Sequence, residues 1–328
     1  MHGIRQFVIL TRMTALEAIR QPVCLLLTMT CVLATVSVPL LLMYNFGEGG
    51  KMARDGGLAF HLLFGIFIAV HAAASALSRE IRSGTASAIL SKPVSRETFF
   101  LAKFAGVALV IAAFSLAAIM STMLATRAAE TFVMKGSLVG FVMDWRTGGL
   151  LALAPPAACG VAALLNYLRR RSFNSSAFAA LLGFISLVFI YSLCVDRHGH
   201  FAPLDADIQW NIVPAGILTT LALLMLASFA VAVSARLGAL PTLTICAAIL
   251  LAGLSADYLF EGDTLPGQLV ALLRALIPNW QHFWMADALN AGGHVPWAYV
   301  AAAAFYALLY TGAILCLGLL SFRHAEMK

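Results

Sequence analysis

Charge is what this sequence has least of. Of its 328 residues only 11% are Asp, Glu, Lys or Arg, while 61% are hydrophobic, and the mean hydropathy is +0.91. Soluble domains carry about 25% charged and about 45–50% apolar residues. The balance here cannot clothe a water-facing surface, and it disfavours a soluble enzyme, a nucleic-acid-binding domain and a disordered tail. The chain reads as an integral membrane protein, best counted in hydrocarbon-spanning segments of about 20 residues. Metal and disulfide signatures are missing too. Cys24, Cys31, Cys159, Cys194, Cys246 and Cys316 all lie in apolar runs without a CxxC pair, which makes them small packing residues. There is no GxxxxGK[ST] phosphate loop: Gly47-Glu48-Gly49-Gly50-Lys51-Met52 is glycine-rich but has neither the spacing nor the Ser/Thr. HExxH and GxSxG are absent as well, and no carboxylate pairs with His61 or His71, so an intramembrane enzyme has nothing to work with.

The scarcity of charge is also uneven. Segments 23–43, 58–77, 104–125, 148–168, 174–195, 212–233, 237–256 and 298–321 contain no Asp, Glu, Lys or Arg. In lipid a helix satisfies all its backbone groups internally, so these predict an all-α polytopic bundle of about eight spans in a single domain, residues 1–328. Pro155-Pro156 inside the fourth segment should bend it. That segment and the tight pair 212–233 and 237–256 are the least regular, and losing one hairpin leaves six spans with the same sidedness. With both termini cytoplasmic, the inner segments (1–22, 78–103, 169–173, 234–236, 322–328) hold 14 Lys+Arg and 4 Asp+Glu, against 7 and 11 outside. That is the positive-inside bias, so the net charge of +6 reports topology rather than a nucleic-acid partner. A secondary transporter normally places ionisable residues inside its spans for ion coupling, and these spans have none.

Two flanking stretches have character of their own. Residues 1–22 do not read as a cleaved signal, because Arg5, Arg12, Glu17 and Arg20 precede an apolar run too long for a signal core. Ile4, Phe7, Val8, Thr11, Thr14, Ala15 and Ala18 share one side of a helical wheel, which predicts a helix lying in the membrane interface before Pro22. Residues 257–297, with Pro266, Pro278, Trp280, Phe283 and Trp284, predict outer re-entrant or interfacial helices.

One polar loop is more than a connector. It runs Ser78-Arg79-Glu80-Ile81-Arg82-Ser83-Gly84-Thr85-Ala86-Ser87-Ala88-Ile89-Leu90-Ser91-Lys92-Pro93-Val94-Ser95-Arg96-Glu97. Ser83 or Thr85 can cap a short helix, and Pro93 forbids its continuation. Ser95 can cap the next helix, with Glu97 in its first turn where the dipole favours an anion. The expected product is a transverse helix of about two turns that displays Ile89 and Leu90, a handle that a soluble partner can push.

Here the sequence resembles the permease subunit of type-2 ABC transporters, including permeases linked to multicopper enzyme maturation. The matching residues are Glu80, Gly84-Thr85, Ile89-Leu90-Ser91, Pro93-Val94-Ser95-Arg96, Phe99-Phe100 and Lys103. Weaker matches are Thr14-x-x-Glu17-x-x-Arg20, Phe46-Gly47-Glu48 with Asp55 and Leu58, and Ile277-Pro278-Asn279 with Phe283. The resemblance implies that 83–97 is a coupling helix docking on a cytoplasmic ATPase subunit. The interface would comprise Glu80, Arg82, Gly84, Thr85, Ile89, Leu90, Pro93, Ser95, Arg96 and Lys103. It further implies an exporter in a bacterial inner (cell) membrane, a homodimer or a heterodimer with a related permease, contact with membrane lipid, and ATP-Mg held by the partner subunit, with no cofactor on this chain. A scaffold that anchors an ATPase without moving a solute, or a secondary transporter, is the alternative.

The remaining candidates carry plainer expectations. His61 and His71 are too far round the helix to share a site and should make interhelical hydrogen bonds. The small-residue run Ala72–Ala76 beside His71 suits either a dimer seam or packing within the chain. Arg169-Arg170-Arg171 should anchor its span at the inner surface. Asp196, His198, His200, Asp205 and Asp207 read as a solvated loop, since they lack paired ligand spacing.

Overall fold

The computed structural model describes residues 2–41, 48–82, 95–135, 138–197, 200–201, 208–255, 277–290 and 293–323. Helix α1 (His2–Arg20) leads into α2 (Pro22–Leu41), α3 (Gly49–Arg82) and α4 (Arg96–Ala128). Strands β1 (Thr131–Lys135) and β2 (Leu138–Val142) form an antiparallel hairpin. Then follow α5 (Trp145–Arg169), α6 (Phe173–Cys194), α7 (Ile212–Ser234) and α8 (Ala239–Leu254). A 3₁₀ turn (Trp280–Phe283), α9 (Ala286–Asn290) and α10 (Trp297–Arg323) complete the order.

The architecture is the expected all-α polytopic bundle. Among the described residues seven helices, α2 to α7 and α10, are long and apolar enough to cross a membrane. The expected span 237–256 is described as α8, whose 16 residues cover about 24 Å at 1.5 Å per residue, short of about 30 Å of hydrocarbon. The hairpin was not foreseen. It caps α4 and returns the chain to α5, with Thr131 paired to Val142 and the Asp144 amide donating to the Ala128 carbonyl at 3.2 Å.

Contacts define two ends of the bundle. At the base, Phe322 of α10 packs on Phe99 and Phe100 at the start of α4, Thr14 of α1 lies against Gly106, and Arg236, just past α7, donates to the Ser321 carbonyl. At the crown, Arg54 near the start of α3 donates to the Leu289 carbonyl in α9. The described part of α1 and the end of α10 thus lie at the same end of the bundle. Helix α8 starts at the base beside the end of α7, and α9 lies at the crown. Trp280 closes the top of α8: its indole Nε1 donates to the Ile249 carbonyl at 3.3 Å, and a side chain on Gly253 would collide with Trp280 and the Pro278 carbonyl.

Helix α4 is the axis. It belongs both to a large apolar cluster that draws on α1, α8 and all the spanning helices and to a second one with α2, α5 and α6. Hydroxyls within the bundle mostly bond back to their own helix, as Thr28 does to Cys24, Thr35 to Cys31 and Thr122 to Ala118, which removes the need for a partner in lipid. The two histidines bond across helices as expected. His61 pairs with Ser115 at 2.9 Å and His71 with Gln21. Helix α5 continues through Pro155 and Pro156, and the six cysteines are unpaired thiols, three of them buried.

A charged cluster closes the crown. Arg127, in the last turn of α4, pairs with Asp144 at 3.2 Å with both side chains almost fully shielded. Its remaining donors reach the carbonyls of Ser192 and Val195 at the end of α6. Asp144 also caps α5, accepting from the Thr147 amide at 3.1 Å and the Thr147 hydroxyl at 2.6 Å. One guanidinium and one carboxylate thus join three helix ends, each buried charge being paired and hydrogen-bonded as burial requires.

Candidate functional site

The candidate site is the base of α3 and α4, where the loop between them is rooted. Helix α3 has 34 residues and α4 has 33, so each is about 50 Å long at 1.5 Å per residue. Both exceed about 30 Å of hydrocarbon, and the excess at the base carries their polar turns beyond the apolar core.

Ser95 begins α4 as the sequence predicts. Its backbone is extended, and its hydroxyl accepts from the Thr98 amide at 3.1 Å. Glu97 follows in the first turn, where a carboxylate complements the orphan amides. One turn later the chain goes from exposed to fully buried. Phe99 stacks on Phe322 with centroids 6.2 Å apart, and Phe100 tilts on the same ring at 5.7 Å. All three rings have no solvent exposure. Gly318 of α10 permits this approach, because a Cβ there would sit 2.9 Å from Phe100 and 2.7 Å from Ala232. Lys103 lies beneath the surface with its ammonium 5.3 Å from the centre of the Phe99 ring, within the range of a cation–π contact.

Two more contacts brace this root. The Gly106 position admits α1 so closely that an added Cβ would lie 2.6 Å from Thr14 Cβ and 2.9 Å from the Thr11 carbonyl oxygen. On the α3 side, His71 meets Gln21 between α1 and α2, and Ser234 of α7 donates to the Ala73 carbonyl. Run Ala72–Ala76 is buried within the chain's own bundle.

Of the ten residues expected at an ATPase interface, Glu80 and Arg82 fall in the last turn of α3, their side chains outside the description. Gly84, Thr85, Ile89, Leu90 and Pro93 lie outside the described residues. Ser95 and Arg96 are exposed, and Lys103 is buried. The structure thus brings Lys103 together with Phe99 under the loop rather than at its surface. Phe322 was missed by sequence reasoning, since nothing in a terminal apolar run marks one ring as the partner of residues more than two hundred positions away.

The chemistry of this site is mechanical. Its groups cap, stack and pack, and among the described residues no group of His, Cys, Asp or Glu is placed to hold a metal ion. His198, Asp205 and Asp207 of the outer loop lie outside the described residues.

No curated protein matches the chain. The family model described as ABC-2 family transporter protein matches residues 18–186. That stretch is just over half of the chain, from the last turn of α1 into α6, and contains the loop between α3 and α4. The chain belongs to the ABC-2 family of transporter proteins and is a multi-pass membrane permease component of an ABC transporter.

Proposed function

We propose that this permease is driven by a separate cytoplasmic ATPase subunit docked on 83–97, and that it works as an exporter. The observation that carries the reading is the root of the loop. Both ends of the segment lead into the two longest described helices, which pack against each other more extensively than any other described helix pair. Well-packed interiors transmit displacement rather than absorb it. A push on Ile89 and Leu90 would therefore tilt α3 and α4 together, pivoting on the Phe99–Phe100–Phe322 knot, and change access to a pathway at the permease–permease interface. ATP-Mg belongs to the partner in this scheme, and two copies, or this chain and a related one, serve two ATPase sites. Glu80, Arg82, Gly84, Thr85, Pro93, Ser95 and Arg96 would complete the docking surface around Ile89 and Leu90, with Lys103 supporting it from below.

The base faces the cytoplasm in this reading. It carries Arg5, Arg12, Arg20, Arg169, Arg170, Arg171 and Arg236 against few carboxylates, the bias expected of an inner face. Helix α1 lies in the membrane interface there, and 277–290 lies at the outer boundary.

The test is co-purification with the ATPase and stimulation of its hydrolysis on reconstitution. I89D/L90D should abolish both while the protein stays in the membrane. Unchanged association with the double variant would sink the docking assignment. Association without any effect on hydrolysis would favour a scaffold.

A further inference from the structure

Helix α1 does not present the face that its sequence suggests. Its buried side is small and polar, made of Thr11, Thr14, Ala15 and Ala18, because that side must approach α4 at Gly106. The larger apolar residues Val8, Ile9, Met13 and Leu16 are left exposed. At 100° per residue Arg5, Arg12 and Arg20 fall among them, within about 80° of arc. All three are exposed, and none forms an ion pair with another described residue.

A second basic segment, far away in sequence, adjoins the first. Asn174 at the start of α6 donates to the Arg20 carbonyl at 2.7 Å, which places the α5–α6 turn beside the end of α1. That turn is Arg169-Arg170-Arg171, exposed throughout. It is held tight by Arg170 in the left-handed conformation at φ 50° and by Asn166, whose amide donates to the Arg171 carbonyl at 2.6 Å. Tyr167 and Leu168 beside it are 85% and 66% exposed. Arginine interleaved with exposed apolar and aromatic side chains, at the ends of spanning helices, is the composition of a surface that meets headgroups and acyl chains together. The guanidinium fork matches phosphate oxygens in paired geometry.

We infer that α1 and the α5–α6 turn form one composite binding surface for the phosphate headgroups of anionic phospholipids. Arg20 lies beside Arg169, Arg170 and Arg171, Arg12 and Arg5 continue the basic face about 12 Å and about 22 Å farther along α1, and Ile9, Met13 and Leu16 lie along the acyl chains. The surface is independent of ATPase docking, since it uses none of the residues 83–97.

The test uses the full purified chain in mild detergent, without its partner, and measures retention of phosphatidylglycerol against phosphatidylcholine by native mass spectrometry. The wild type should prefer phosphatidylglycerol. R5Q/R12Q/R20Q and R169Q/R170Q/R171Q should each weaken it by at least about tenfold, given roughly fivefold per arginine near an anionic headgroup. The corresponding Lys triples should stay within about threefold of the wild type, since they keep the charge. Should a triple fail to fold, R12Q alone should lose about fivefold. Equal retention of the two lipids, unchanged retention in both Gln triples, or a loss confined to one triple would each overturn the composite surface. So would a Gln triple that loses the ATPase partner while its lipid retention is unaltered, which would make the arginines a protein-docking surface.

Discussion

The Arg127 guanidinium and the Asp144 carboxylate stand 3.2 Å apart, and with side-chain exposures of 1% and 3% neither is in contact with solvent. A buried pair contributes little beyond well-packed apolar residues, yet removing one partner leaves an uncompensated charge that costs about 3–5 kcal/mol. R127M should therefore destabilise the purified protein by about that amount in denaturant unfolding in micelles. D144S keeps the α5 cap in another form, and R127M/D144S should cost less than R127M and D144S summed. Additive losses would mean that the two groups act separately.

The approach of α1 to α4 depends on Gly106. G106V would drive a side chain into Thr14 and the Thr11 carbonyl oxygen, and backbone cannot yield there as a flexible side chain could. Helix α1 should detach from α4, read as faster amide exchange over residues 7–18, with exchange in α7 unaffected. Protection of α1 equal to the wild type would refute the contact.

Phe322 is the ring on which Phe99 and Phe100 converge. F322A should cost about 3–5 kcal/mol in unfolding, the usual range for deleting a buried aromatic ring. With the protein still in the membrane and still bound to the ATPase, it should also lower permease-stimulated hydrolysis. F322L fills much of the same volume and should retain most of both. Stimulation as high in F322A as in the wild type would show that the knot is packing alone.

Sidedness is open to direct labelling. A cysteine introduced within 83–97 should react with an impermeant maleimide only from the cytoplasmic side, and one within 262–268 only from outside. The reverse pattern would invert the orientation and with it the direction in which the loop can be pushed.

The spans were legible because lipid imposes a single rule: charge stays out of hydrocarbon. Segments free of Asp, Glu, Lys and Arg therefore marked helices α2 to α7 and α10. Ser95 was legible for an equally local reason, since a cap bonds three residues ahead. What depended on tertiary closure was not. Thr131–Lys135 and Leu138–Val142 carry the β-branched and aromatic residues of a hairpin around Gly136-Ser137, a signal that could have been read. The hairpin is what returns Asp144 to Arg127. Helix α1 was read correctly as a helix, but its wheel placed Ile4 and Val8 with the buried side, whereas a close approach to Gly106 selects the smallest residues instead. Lys103 was expected at the ATPase interface from the family resemblance, whereas the structure buries it with its ammonium over the Phe99 ring.

The Phe99–Phe100–Phe322 knot has a bearing on biogenesis. Two of its rings enter the membrane near the start of the third pass, whereas the third arrives only with α10. Until α10 has been inserted, the floor beneath the loop between α3 and α4 has an open aromatic socket. A nascent or truncated chain that lacks α10 lacks this contact at the root of α4, and under the proposed coupling an ATPase that engaged it would push on a lever without a fulcrum. In the proposed scheme coupling therefore needs α10 in place, more than two hundred residues after the two rings that it joins.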